Sequence, residues 1–320
     1  MTTNGSSRLP RPVRQARRRM ALFARVQSAA ARRGVHVARE RDWRLSPNNY
    51  YSALPDLDRL DEAVWDRESP MVGVPFDPEA QMTWAETRLA AFAAELDAPY
   101  TSADPLAFHL DNAHFESVDA EIAYAMLRHL RPRRVVELGS GFSTQVLARA
   151  AHRNGEEGAP CELYSYNPYP SERMRAVLER GIPGLTQHVE IEAQALGLQT
   201  FTELQAGDVL FIDTSHTVKL GGEVVHLFLE VLPQLAPGVV VHIHDIALPY
   251  EYDRRYVVDL QMPWAEQYLL QALLCGSLDW DVLFAAQALT RKHTARLSTL
   301  VPSLRARHYP SSFWMRRDEA

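Results

Sequence analysis

A chain of 320 residues can bury a substantial core, and its length fits one large domain or two smaller ones. Apolar residues make up 46% and charged residues 23%, as in ordinary soluble globular proteins. A net charge of −6 provides no general attraction to nucleic acid or to an anionic membrane.

The charge is uneven. The stretch from Arg8 to Arg44 holds twelve arginines against two acids, Glu40 and Asp42. Lysine occurs only at Lys219 and Lys292, so the preference for arginine belongs to the whole chain. Cys161 and Cys275 fall inside expected elements and read as reduced, buried thiols rather than a disulfide framework. No stretch approaches the ~20 apolar residues of a membrane span. No apolar segment precedes Met20 to make a signal peptide, so the expected compartment is the cytoplasm.

Residues 1–10 are polar. From Pro12 to about Ala38 the pattern is helical, with a short apolar stripe (Met20, Phe23, Ala24, Val26) among arginines. That stripe fits a solvated face docked on its own domain better than a membrane or nucleic-acid helix. Ser46–Asp58 reads as a loop, with Tyr50 and Tyr51 either substrate-facing or packed. Asp77 followed by Pro78 opens a helix to Asp97, with Met82, Trp84, Leu89, Phe92 and Leu96 inward. Pro99–Pro105 then marks a boundary between an N-terminal helical extension and cap (1–105) and a main domain (106–320). The loop Phe108–Glu116, carrying His109, Asp111, Asn112 and His114, leads into a helix from about Ser117 to Leu130.

Arg133–Thr144 (RRVVELGSGFST) organises the remainder. Val135, Val136 and Leu138 form a buried strand, Gly139 and Gly141 a tight turn, and Ser140, Ser143 and Thr144 can cap the following helix. Helix N–H groups facing such a turn favour ligand binding there. Strands then recur at Glu162–Tyr166, Gln187–Glu192, Asp208–Asp213, Gly238–His244 and Trp280–Ala286. Helices at 145–152, 171–179, 200–204, 222–235 and 264–275 alternate with them, and the tail reads as basic helix and coil. This alternation predicts an α/β fold, doubly wound, with a mostly parallel sheet.

In such a sheet the ends of the first, second, fourth and fifth strands meet over one crevice. Those ends carry Glu137, Asn167, Asp213 and Asp245. Two aspartates closing apolar strands require cations, donors or a metal. His216 and Lys219 follow Asp213, and His242 and His244 precede Asp245. Asp213, His216, Asp245 and His244 therefore offer oxygen and nitrogen ligands for a divalent ion, Mg or Fe, or else form an Asp–His network that orients loops.

Four segments carry a resemblance: VVELGSGFST, FIDTSHTVKLGGEV, HLFLEVLPQLAPGVVVHIHDIALPYEY and WAEQYLLQALL. Jointly, over about residues 46–290, they resemble a bacterial group of the class I S-adenosylmethionine-dependent methyltransferases. The resemblance implies that the sheet is seven-stranded and Rossmann-like. It also implies that Glu137, Gly139, Ser140 and Gly141 hold the amino-acid part of the cofactor, with Ala193–Gln194 near its adenine. Asp213 and Asp245 are similarly placed to the Mg²⁺-binding acids of catechol-type O-methyltransferases, where a lysine such as Lys219 acts as base. Two positions depart from these patterns. Asn167 stands where an acid binds the ribose hydroxyls, and Ile246 stands where the catechol-type pattern has Asn. Asn can accept a hydrogen bond but lacks the charge and the two-oxygen grip.

The expected function is methyl transfer from S-adenosylmethionine to a hydroxyl or amine of a small molecule, such as a secondary metabolite. Asp213, His216, Lys219 and His114 are the candidate catalytic groups. Neither nucleic acid nor membrane is an expected partner, and homo-oligomers are compatible with the sequence. One alternative is a metal-dependent, hydroxylase-like enzyme with a His/Asp facial set and no methyl transfer. A second is a non-catalytic binding protein, hinted at by the arginine-rich N-terminus.

Overall fold

The computed structural model describes residues 50–318 and the strands Val35–His36 and Ser46–Pro47. Contacts divide the chain into Met1–Asp61 and Glu62–Ala320. In the first unit, Val35–His36 pairs antiparallel with Ser46–Pro47, so the helix expected up to Ala38 does not include 35–36; its earlier part lies outside the described residues. Tyr50 and Tyr51 are exposed and meet edge to face at 5.4 Å.

The second unit is built on seven strands: β1 Arg134–Leu138, β2 Glu162–Tyr166, β3 Gln187–Val189, β4 Val209–Ile212, β5 Val240–Ile243, β6 Trp280–Ala285 and β7 Phe313–Arg317. Their order across the sheet is β3-β2-β1-β4-β5-β7-β6, with only β7 antiparallel to its neighbours. The doubly wound Rossmann-like sheet is therefore present. The tail departs from expectation: in place of basic helix and coil it ends in β7, whose Phe313, Trp314 and Met315 are fully buried.

Period-two alternation sorts the strand side chains into two cores. Val135, Val209, Phe211, Val240 and Trp314 face one layer, with Met82 of helix α1 (Pro78–Arg88), Ile122 and Met126 of α2 (Asp119–Leu130) and Val146 of α3 (Phe142–Glu156). Val136, Leu210, Ile212, Val241 and Ile243 face the other, with Leu227 and Val231 and with Leu270 of the helix Glu266–Leu274. Asp77 caps α1 by accepting hydrogen bonds from the N–H groups of Glu79 and Ala80. The helix expected at 222–235 is present but widens to a π-turn at Leu227–Val231 just before Pro233, which has no N–H to continue the α pattern.

The cysteines are free, but only Cys161 is partly buried; burial pushes its thiol up to about 12, whereas Cys275 is exposed, contrary to expectation. Among the described residues no helix is long and apolar enough to cross a membrane.

Candidate active site

The sheet reverses its winding between β1 and β4, and at that switch point the strand ends diverge into a cleft of about 530 Å³. Gly139, Ser140, Asn167, Gln194, Asp213 and Lys219 line it. Glu137, Gly141, His114, His216, Asp245 and His244 do not.

The glycine turn is shaped by close packing. Gly139 has φ +96°, and a Cβ there would stand 1.9 Å from the Asp213 carbonyl oxygen. Its freedom from a side chain is thus a demand of the sheet itself. At Gly141 a Cβ would meet nothing within 4 Å. The Gly141 N–H donates to Thr144 Oγ1 at 3.0 Å, and that hydroxyl donates to Glu137 at 2.8 Å, as does Ser143 Oγ. Glu137 is fully buried under the turn, and burial raises its carboxyl to about 7 against the pull of these hydroxyls.

On the β2 side, Asn167 is already engaged. Its Nδ2 donates to Ser140 Oγ at 2.9 Å, and its Oδ1 accepts the Tyr169 N–H at 2.9 Å. The β3 strand stops at Val189 instead of reaching Glu192, which lets the chain turn into the cleft. There the Glu192 carboxylate accepts from Tyr169 Oη at 3.2 Å and from Gln194 Nε2 at 2.8 Å.

On the β4–β5 side stands a charge cluster centred on His216. Its Nδ1 meets Glu266 at 2.8 Å, and its Nε2 lies 3.4 Å from Asp213 and 3.3 Å from Asp245. Burial works against a charged ring, but Asp213, Glu266 and Asp245 outweigh it and raise His216 well above its ordinary value. Burial likewise opposes ionisation of Asp213, yet His244 and His216 bring its carboxyl down to about 2. Both His216 (φ +55°) and Asp245 (φ +54°) hold left-handed backbone, a strain that clusters at functional sites.

Three of the four residues expected to offer metal ligands, Asp213, His216 and Asp245, meet in this cluster. Among the described residues no group of three or more His, Cys, Asp or Glu side chains is arranged to hold a metal ion. In this arrangement His216 meets carboxylates through both ring nitrogens. His244 is 3.9 Å from Asp245 and packs on Phe115 and His242 instead. His242, buried on Phe211 at 3.7 Å between ring centroids, is pushed well below its ordinary value by burial.

The remaining candidates lie apart. His114 is exposed and stacked on Phe142 at 6.1 Å, away from the cleft wall. Asn112 holds its loop together, donating to the His109 and Phe115 carbonyls and accepting the His114 and Phe115 N–H groups. Lys219 is at the cleft, folded over Gly222, where a Cβ would come within 2.7 Å of its Cγ.

Residues 136–246, from β1 to just beyond β5, match the model of a family described as a methyltransferase domain. Over these residues the chain is similar to a methyltransferase domain. An Archaeoglobus fulgidus protein described as uncharacterized is 27% identical to the chain over 161 residues, 48% of this chain and 72% of that one. A provisionally named methyltransferase structure from Thermobifida fusca covers 80% of this chain and 97% of that chain, at 12% identity and a TM-score of 0.36.

Sequence reasoning missed Glu192 and Tyr169 on the cleft wall of this domain, and Glu266 and Asp119 behind it. Asp119 accepts the N–H groups of Ser311 and Ser312 and fixes the start of β7. Glu266 carried a signal, as an acid at the start of an apolar helix, but its His216 partner lies 50 residues away.

Proposed function

We propose that the methyltransferase domain binds S-adenosylmethionine in the switch-point cleft and moves its methyl group to an oxygen or nitrogen of a small molecule near the ends of β4 and β5. The observation that carries this reading is the cleft itself, where the Gly139–Ser140 turn, Asn167, Gln194 and Asp213 converge. Thr214 and Ser215 also line the wall, and their hydroxyls are buried without a protein partner.

When bound, S-adenosylmethionine supplies a sulfonium methyl that is already electrophilic. The chain's task is to align a nucleophile with it and to take up a proton. The Gly139–Ser140 turn and the N-terminus of α3 suit the amino-acid end of the ligand, and Ala193–Gln194 suit the adenine. His216, as a cation, holds Asp213 and Asp245 in place and cannot accept a proton. Asp213, held down at about 2, is a weak base. Lys219, which lines the cleft with Asp213, is the group that the catechol-type resemblance offers for proton removal.

Calorimetric titration with S-adenosylhomocysteine tests the reading. Saturable binding at one site per chain is expected, lost on Ser140→Trp, which fills the cleft from its lip. A folded protein that takes up neither S-adenosylhomocysteine nor S-adenosylmethionine would remove the proposal.

A further inference from the structure

The cleft has a diol-binding problem that the strand end does not solve. Asn167 has both halves of its amide committed, to Ser140 and to the Tyr169 N–H. A single neutral carbonyl with one lone pair left is a poor partner for two adjacent hydroxyls.

We propose that Glu192, rather than residue 167, supplies the carboxylate that grips the ribose hydroxyls of the nucleoside ligand. This rests on the S-adenosylmethionine reading of the same cleft. Three observations carry it. Glu192 lines the cleft from the β3 side, reached because the strand ends three residues early. Its two oxygens are held from either side by Tyr169 Oη and Gln194 Nε2, which orients the carboxylate before any ligand arrives. Among the described residues it has no cationic partner, whereas Glu190 is neutralised by Arg175, Asp213 by His216, and Glu223 accepts the Ser215 N–H. Each Glu192 oxygen keeps a further lone pair, and two parallel acceptors match two adjacent O–H donors. Tyr169, 78% exposed, overhangs the cleft and closes the ring of partners. The exposed setting of Glu192 means that its replacement by Gln does not threaten the fold.

The test is calorimetry on the full chain with S-adenosylhomocysteine and with an analogue lacking both ribose hydroxyls. Wild type should bind the analogue about tenfold more weakly, about 1.4 kcal/mol. Glu192→Gln should bind S-adenosylhomocysteine about tenfold more weakly than wild type, yet lose little further on going to the analogue. Equal affinity of wild type and Glu192→Gln for S-adenosylhomocysteine overturns the assignment and leaves the cofactor reading standing. An equal loss with both ligands also overturns it, by showing that Glu192 acts on another part of the ligand. A wild-type protein that binds neither ligand removes the cofactor reading and this assignment together.

Discussion

At the scale of single residues, the two glycines of the turn have opposite roles. A side chain at Gly139 collides with the backbone of Asp213, so Gly139→Val breaks the contact between β1 and β4 rather than blocking a ligand. At Gly141 the space is open, so Gly141→Leu is the control that adds a side chain to the same turn without a collision. Thermal melts should show Gly139→Val strongly destabilised and Gly141→Leu close to wild type. His216 makes a second prediction at this scale. Its folded ring holds the proton more tightly than the unfolded chain does, so its stabilising contribution is complete below about pH 6.5. That contribution is lost as pH rises through the raised folded value. Asp213 works in the opposite direction, contributing above about pH 4 and losing its effect as pH falls toward 2. His216→Gln leaves the buried Glu266 without its counter-charge and should cost about 3–5 kcal/mol at neutral pH. The gap between wild-type and variant stability, followed by denaturant titration, should narrow on the alkaline side; a gap independent of pH would mean that the ring is neutral.

At the scale of elements, β7 completes the sheet. It pairs with both β5 and β6, and Asp119 of α2 fixes its first residues. Trp314 fills the layer under β4 and β5, 6.0 Å from Phe211 and 4.7 Å from His242 between ring centroids. Trp314→Ala should therefore cost about 3–5 kcal/mol. Denaturant midpoints would check this, and a loss below 1 kcal/mol would show that the strand is dispensable. The sequence concealed β7 because it does not follow the βα alternation and ends in Arg316 and Arg317. Arg316 is exposed and pairs with Asp281, while Arg317 lies over the Trp280 ring and pairs with Asp279. Strands β1, β4 and β5 were legible because burial on both faces demands nearly continuous apolar runs, and β2 and β6 were legible from their place in the βα alternation. β3 was legible in place but not in length, since the apolar/polar alternation of 187–192 cannot say where pairing stops.

At the scale of the whole molecule, the charges at two strand ends are balanced from within. His216 provides the positive charge between Asp213 and Asp245, so stability should not depend on a divalent ion. Melting curves with and without EDTA should coincide; a drop in midpoint with the chelator, reversed by Mg²⁺ or Fe²⁺, would restore a metal site. The sequence by itself determined the α/β class, the order of most strands, and the glycine turn beside an acid-rich set of strand ends. These follow from local periodicity and from residue types that only certain backbone shapes accept. Only the tertiary structure decided that Gly139 is required by the Asp213 carbonyl and that Glu137 lies under the turn. It alone decided that His216 meets Glu266 and that Glu192, not Asn167, offers a cleft carboxylate free of a cationic partner. Those facts depend on which distant segments come within 3 Å of one another, and a list of residue types along the chain carries no such distances.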